Sequence, residues 1–239
     1  MVLNFLKRKL KRKKLKSPER INEDRLDTNF SKEELKIINL LNYTKRSGAT
    51  YSGELYNSGY HTLKLGDKTI VGQRNPAERF KNIPFKFEGK SVLDIGCNQG
   101  GMLHAIADKI SYGVGIDYDS RMINVSNKIK SFFENNHLNF YVFDLVREDL
   151  NYIKDFLKSE FVDICFLLSV CMWLKNWKEL IDFCKGISKN LLFETNGSEK
   201  QQKEQIEYLY SIYKNVVLIN EISNDDPLQK KRKLFLCTN

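Results

Sequence analysis

Ser91-Val-Leu-Asp-Ile-Gly-Cys-Asn-Gln-Gly-Gly101, followed by Gly113-Val-Gly-Ile-Asp117, decides the fold. The first run is an apolar strand that breaks into a glycine turn; a helical pattern follows, then a second strand closing on a carboxylate. A glycine turn between strand and helix lets backbone amides approach a ligand and aims the helix N-terminus at it. Such a unit builds a nucleotide pocket.

The spacing narrows the nucleotide. Asn98 stands where a dinucleotide fingerprint has its middle glycine, and asparagine tolerates left-handed backbone. Asp117, 21 positions after Gly96, can accept both hydroxyls of a ribose. Asp94 lies two residues before Gly96, where its charge would repel a pyrophosphate and attract a ligand with a cationic amino-acid end.

Working outward, strands are expected at 91–95, 112–117, 139–144, 162–169, 190–195, 215–221 and 233–238. Helices are expected at 100–110, 119–134, 147–159, 176–187 and 199–213. Alternation of this kind implies a parallel sheet. The last connection, Ser223 to Arg232, holds turn residues and no helical period, so its flanking strands should pair antiparallel. The expectation is an α/β, Rossmann-like fold with a seven-stranded, mostly parallel sheet and a terminal antiparallel hairpin. Three regions follow: a basic tail at 1–20, a helix and lid segment at 21–88, and the main domain at 89–239.

On Val92-Leu-Asp94-Ile-Gly96-Cys-Asn98-Gln-Gly100 and Gly115-Ile-Asp117, the chain resembles the class I S-adenosylmethionine-dependent methyltransferases, over roughly residues 89–239. The resemblance implies S-adenosylmethionine as cofactor. It implies contacts from the loop residues Asp94, Gly96, Cys97, Asn98 and Gly100, and from Asp117 and Tyr118 after the second strand. Asp144, in Phe140-Tyr-Val-Phe-Asp144, matches the acid that often bonds the adenine amino group, and Ser169 with Val170 matches the strand end lining the methionine. Arg74 lies in a segment that commonly folds over the cofactor in such enzymes, where it could meet a carboxylate or an anionic substrate. Segments 166–177 and 191–195 look like those of the wobble-uridine carboxymethyl-transferring enzymes, with Trp173 or its neighbour in place of a histidine.

Methyl transfer from a sulfonium needs a general base only when the acceptor must lose a proton. Glu194, at the end of the fifth strand, and His61, on a lid segment with Tyr60, are the candidate catalytic residues; a salt-bridged acid and a surface histidine are the alternatives. His104 reads as packing, His137 as a turn residue, and Arg79 as a partner of Glu78. Trp173 reads as a site wall and Trp177 as core.

Charge is unevenly distributed. Residues 1–20 hold nine basic groups and one acid, +8 of the chain's net +9, so the other 219 residues are nearly neutral. With Val2, Leu3, Leu6 and Leu10 near helical spacing, the tail reads as an element for an anionic membrane surface, as an RNA-attracting arm, or as a solvated tail. No apolar run reaches membrane-span length, and signal-peptide, myristoylation and prenylation patterns are missing. Five cysteines without a C-x-x-C favour reduced, buried thiols over disulfides or a metal. A cytoplasmic protein is expected, peripheral at the inner membrane surface if the tail binds lipid.

Three functions stay open. The first is methyl transfer to a hydroxyl or amine of a glycan or other polar small molecule. The second is methylation of tRNA or another RNA. The third is a non-catalytic Rossmann-like binding protein that kept the pocket.

Overall fold

The structure is a computed structural model that describes residues 30–45, 56–223 and 231–239. The basic tail lies outside the described residues. A seven-stranded sheet organises the chain, with spatial order β10-β11-β9-β8-β5-β6-β7. Its strands are β5 (Ser91–Ile95), β6 (Tyr112–Asp117), β7 (Leu138–Val142), β8 (Val162–Leu168), β9 (Ser188–Glu194), β10 (Asn215–Asn220) and β11 (Leu234–Thr238). Strands β7, β6, β5, β8 and β9 run parallel; β11 pairs antiparallel with both β9 and β10. The terminal hairpin is therefore present, and its second strand inserts between the fifth strand and its own partner.

The central strands read as unbroken apolar runs because both faces are covered. Leu93, Ile95, Cys165 and Leu167 face one core while Val92, Ile164 and Phe166 face the other. Helices α3 (Gly101–Ala105), α4 (Ser120–Phe132), α5 (Trp177–Ile187) and α6 (Glu199–Ile212) cross between strands. All five cysteines are free and buried.

Two expected helices are shorter than their sequence pattern. The helix after the glycine turn stops at Ala105, not at 110. In place of a helix over 147–159 there is a 3₁₀ segment, Leu150–Phe156, capped by Asp149. It buries only Leu150 and Ile153, a spacing of three that suits the tighter 3₁₀ turn. The third strand ends at Val142, two residues early, because Asp144 turns the chain by accepting from the Val146 amide at 2.9 Å.

The N-terminal segment packs onto this domain. Helix α1 (Lys32–Thr44) begins with a Ser31–Glu34 capping box. Then come β1 (Gly59–His61), β2 (Leu63–Leu65), β3 (Lys68–Ile70), β4 (Gly72–Arg74) and the short α2 (Pro76–Phe80). Ile37, Ile38 and Leu41 of α1 share a buried cluster with Leu63, Leu65 and Ile70, and with Val125 and Ile129 of α4. Strands β1 and β4 pair parallel, with His61 opposite Arg74. This pairing brings Tyr60 and Gln73 to the carboxyl end of the main sheet.

Candidate active site

Strand order reverses between β5 and β8, so the loops after these strands part and leave a crevice, the usual place for a ligand in open α/β sheets. The loop after β5 alternates into left-handed backbone at Gly96 (φ 76°), Asn98 (φ 51°) and Gly100 (φ 68°). Asparagine at the middle position thus does what the sequence required of it. At Gly96 a side chain would also collide: a Cβ there would lie 2.7 Å from Val170 Cγ2. The glycine keeps open the narrow meeting of the first and fourth strand ends.

Asp117 ends β6 facing this loop. Its Oδ2 accepts from the Asn98 amide at 3.0 Å and its Oδ1 from the Asp119 amide at 2.9 Å. The carboxylate is oriented before any ligand arrives. A cavity of about 740 Å³ opens beside it, lined by Gly96, Asn98, Asp117, Tyr118 and Asp144. Also on its wall are Ser169 and Val170, which follow β8 on the other side of β5, Arg232, which bonds Ser169, and Tyr60, Gln73 and Trp173.

Six residues expected to bind cofactor thus meet on one cavity: Gly96, Asn98, Asp117, Tyr118, Asp144 and Ser169. Asp94 lies beneath the loop, 2% exposed, and its Oδ2 has no hydrogen-bond partner. Burial, and then the charge of Asp117, push its carboxyl up to about 8. Such an acid is kept neutral at pH 7 until a donor or cation reaches it. The Cys97 side chain does not reach the cavity. Its thiol packs under the loop and bonds the Asn98 carbonyl at 3.7 Å, burial raises its pKa, and its amide donates to Ile116. Gly100 serves the turn: a Cβ there would lie 2.6 Å from Phe140.

The remaining expected residues form a second constellation behind Ser169 and Arg232. Glu194 is 2% exposed and does not line the cavity. Arg74 Nη2 donates to its two oxygens at 2.9 and 3.1 Å, and Arg79 Nη2 donates to Oε1 at 2.5 Å. The Ser169 and Ser223 hydroxyls also donate to it. Expected as a base, Glu194 is instead a buried anion held in ion pairs. Arg74, expected over the cofactor, is itself buried against Glu194 and Tyr60. Arg79 pairs with Glu194, while Glu78 takes Lys81 at 2.7 Å.

His61 is packed against the back of the glycine loop: a Cβ on Gly101 would lie 2.4 Å from its ring. Burial, then the charges of Arg74 and His104, lower its pKa to about 3, so the ring stays neutral. The structure does not bring it to the cavity. His104 packs on Phe140 and bonds the Ser126 carbonyl at 3.2 Å. His137 bonds the Ala107 carbonyl at 2.8 Å. Trp173, 74% exposed, stands at the cavity mouth, whereas Trp177 packs on the core and on Tyr208.

Sequence reading missed Arg232 and Gln99. Arg232 sits in a Lys-Lys-Arg-Lys run that looks like solvated charge, and only the β11–β9 pairing turns it toward the site. Gln99 sits inside the motif, yet its side chain points away from the cavity. It donates to Thr44 Oγ1 and the Ser58 carbonyl, both at 3.2 Å, and accepts from the His61 amide at 3.1 Å.

A family model for a methyltransferase domain matches residues 93–190, the span that holds the loop, Asp117, Asp144 and Ser169. The chain carries a methyltransferase domain. S-adenosylmethionine is the methyl donor of such a domain, and the residues fit it: a carboxylate anchored by two amides, a close glycine turn, and a buried acid whose Oδ2 has no hydrogen-bond partner. Over 144 residues this methyltransferase is 27% identical to the U6 snRNA methylphosphate capping enzyme Amus of Drosophila melanogaster, which covers 56% of this chain and 42% of that protein. The chain therefore spans less than half the length of that relative.

In fold, the methyltransferase is similar to the N-terminal domain of EvdMO1 with SAH bound, at a TM-score of 0.53 and 10% identity, over 68% of this chain and 80% of that one. It is also similar to WbdD, at a TM-score of 0.50 and 22% identity, over 63% of this chain and 35% of that one. Among the described residues no helix is long and apolar enough to cross a membrane.

Proposed function

We propose that the chain methylates a polar acceptor, a glycan or other polar small molecule, that enters the cavity on the β8 side. The observation that carries this reading is the division of the cavity. Asp117 and Asp144 follow β6 and β7 on one side of β5, and Ser169, bonded by Arg232, follows β8 on the other, with Tyr60, Gln73 and Trp173 also on the cavity wall. The acidic side suits a ribose and an adenine amino group. The rest of the wall offers hydroxyls, an amide, a guanidinium and one exposed indole, groups that hold a hydrogen-bonding acceptor and stack a sugar ring.

The donor arrives as an activated sulfonium, so what the protein contributes is alignment and the exclusion of water. Val170 and Gly96 narrow the passage between the two sides. Asp117 fixes the nucleoside, and Ser169 and Arg232 face what lies opposite.

A terminal group of an RNA is the second reading. It is supported by the name of the 27%-identical Drosophila relative, a capping enzyme of U6 snRNA. Tail residues 1–20, with a charge of +8, would attract nucleic-acid phosphates.

One experiment tests both. The full chain is incubated with methyl-labelled S-adenosylmethionine and, separately, a small-molecule and glycan extract, total RNA, and RNA digested to nucleotides. Label in the first pool supports the small-molecule reading, and label that needs intact RNA supports the second. No label in any pool, with cofactor bound, leaves the non-catalytic reading.

A further inference from the structure

We infer that the outer edge of β10 docks a second copy of this chain, whose own β10 pairs with it antiparallel about Val217 and joins the two sheets into one.

β10 is the last strand of the sheet, and among the described residues only β11 pairs with it. Its outer row of amides and carbonyls is a template for another strand. From Asn215 to Asn220 it holds no proline and no charged residue, two of the devices that blunt such an edge. Val217 and Leu218 point to opposite faces, yet they are 50% and 37% exposed. Leu218 shares the face of Phe235, which packs with Leu209 of α6. Val217 shares the face of Leu236, which packs with Ile83 and Phe87. The cover on both faces therefore stops short of this strand. At the other edge, β7 exposes only its last residue, Val142. Helix α6 adds to the bare rim. Tyr208 turns toward α5, where it bonds Asp182, so Tyr210 turns to the opposite flank, on the side of the β10 edge, and is 58% exposed.

The order of side chains says what this template fits. Leu218 pairs with Phe235 and Asn220 with Leu234, so Ile219 is a bulge, and Asn220 falls on the face of Val217 and Asn215. With Ile219 set aside, the strand reads outward from Val217 as Val216 and Leu218, then Asn215 and Asn220, then Lys214 and Glu221. A twofold axis through Val217, normal to the sheet, keeps the faces matched. It sets Val217 opposite the partner's Val217, and Val216 opposite the partner's Leu218. Asn215 then meets the partner's Asn220, and Lys214 meets the partner's Glu221. Apolar faces apolar, amide faces amide, and an opposite-charge pair forms twice. Glu221 also holds Lys233 at 3.0 Å, and its exposed carboxylate has lone pairs for a second donor. A second copy is the partner that presents this order in reverse.

Pairing across this axis runs the partner's parallel strands the other way. The two cavities then open at opposite ends of the joined sheet, and dimerisation leaves cofactor affinity unchanged.

Sedimentation equilibrium of the full chain, 28.0 kDa, tests the joint. The native chain should sediment at twice that mass at micromolar loading. Val217→Lys places two like charges on the axis and should weaken the dimer by about tenfold or more. Lys214→Glu, which sets acid against acid twice, should weaken it by about threefold or more, and Lys214→Glu combined with Glu221→Lys should recover it. Unchanged circular dichroism and S-adenosylhomocysteine affinity in each variant report that the fold stands. A monomer at every concentration overturns the proposal; amides at 216–218 protected from hydrogen exchange in that monomer would give the edge to another segment of the same chain. A dimer that every variant leaves unchanged overturns it as well, because the joint then lies on another surface. Weakening by Val217→Lys without weakening by Lys214→Glu overturns the register about Val217.

Discussion

Arg74 and Glu194 are 120 residues apart in sequence, yet Arg74 Nη2 bonds both carboxylate oxygens, at 2.9 and 3.1 Å, with each side chain 2% exposed. The pair ties β4 of the N-terminal segment to the end of β9. It therefore sets how the walls bearing Tyr60 and Gln73 stand relative to the main sheet. Removing Glu194 takes away a buried carboxylate that bonds both Arg74 and Arg79, a loss of about 3–5 kcal/mol. Glu194→Ala, which removes the carboxylate between the two arginines, should lower the urea midpoint accordingly. If its unfolding free energy falls by less than about 1 kcal/mol, the cluster is not the joint described here.

Asp117 is held by two backbone amides, and in the proposed reading its carboxylate takes the ribose. Hydrogen bonds to a charged group contribute about 1.5–3 kcal/mol each. Asp117→Ala should weaken S-adenosylhomocysteine binding by about 10- to 150-fold, measured by calorimetry, with Asp117→Asn between the two. Wild-type affinity in Asp117→Ala would place the nucleoside elsewhere.

Much of this site was legible because its constraints are local. Gly96, Asn98 and Gly100 each must adopt positive φ, and only a few residue types do so readily, so the turn is written in the sequence. Asp117 falls at a fixed distance because one strand, one turn and one helix span a set length. Glu194, Arg74 and Arg79 read differently because their roles depend on contacts across more than a hundred residues. Nothing near Glu194 in sequence says that two arginines will surround it. Arg232 was hidden for a related reason: β11 inserts between β9 and β10, an order that alternation of strands and helices does not encode. The shortened third strand had a local sign in Asp144, whose turn-forming side chain outweighed the apolar run before it.

Gln99 links the cofactor loop to the N-terminal segment. It is 2% exposed, and its three bonds reach Thr44 of α1, Ser58 and His61, the last residue of β1. Gln99→Ala leaves the His61 amide and the Ser58 carbonyl each short of a partner, at about 1–3 kcal/mol for a buried group. Hydrogen exchange should accelerate at residues 58–62 and 72–74 before it changes in β5 or β8. Uniform acceleration across the sheet would mean that Gln99 supports the fold as a whole and not this junction.

Asp94 gives the protein a pH dependence of defined sign. Its folded pKa, about 8, is raised above the usual value of about 3.9 for an unfolded aspartate. Between those values the native state holds a proton that the unfolded chain has released. Stability from this group is therefore full below about pH 4 and declines as pH rises toward 8, by at most about 1.4 kcal/mol per unit. Asp94→Asn, which stays neutral, should lack that decline, so its stability relative to the native sequence should improve from pH 5 to pH 8. A ligand ammonium beside the carboxyl acts in the opposite direction, favouring the charged form. Binding of S-adenosylhomocysteine at pH 7 should then release up to one proton, seen as a dependence of binding enthalpy on buffer ionisation enthalpy. Asp94→Asn should bind without that dependence. Equal proton release by both proteins would assign the titration to another group and remove Asp94 from the amino-acid end of the site.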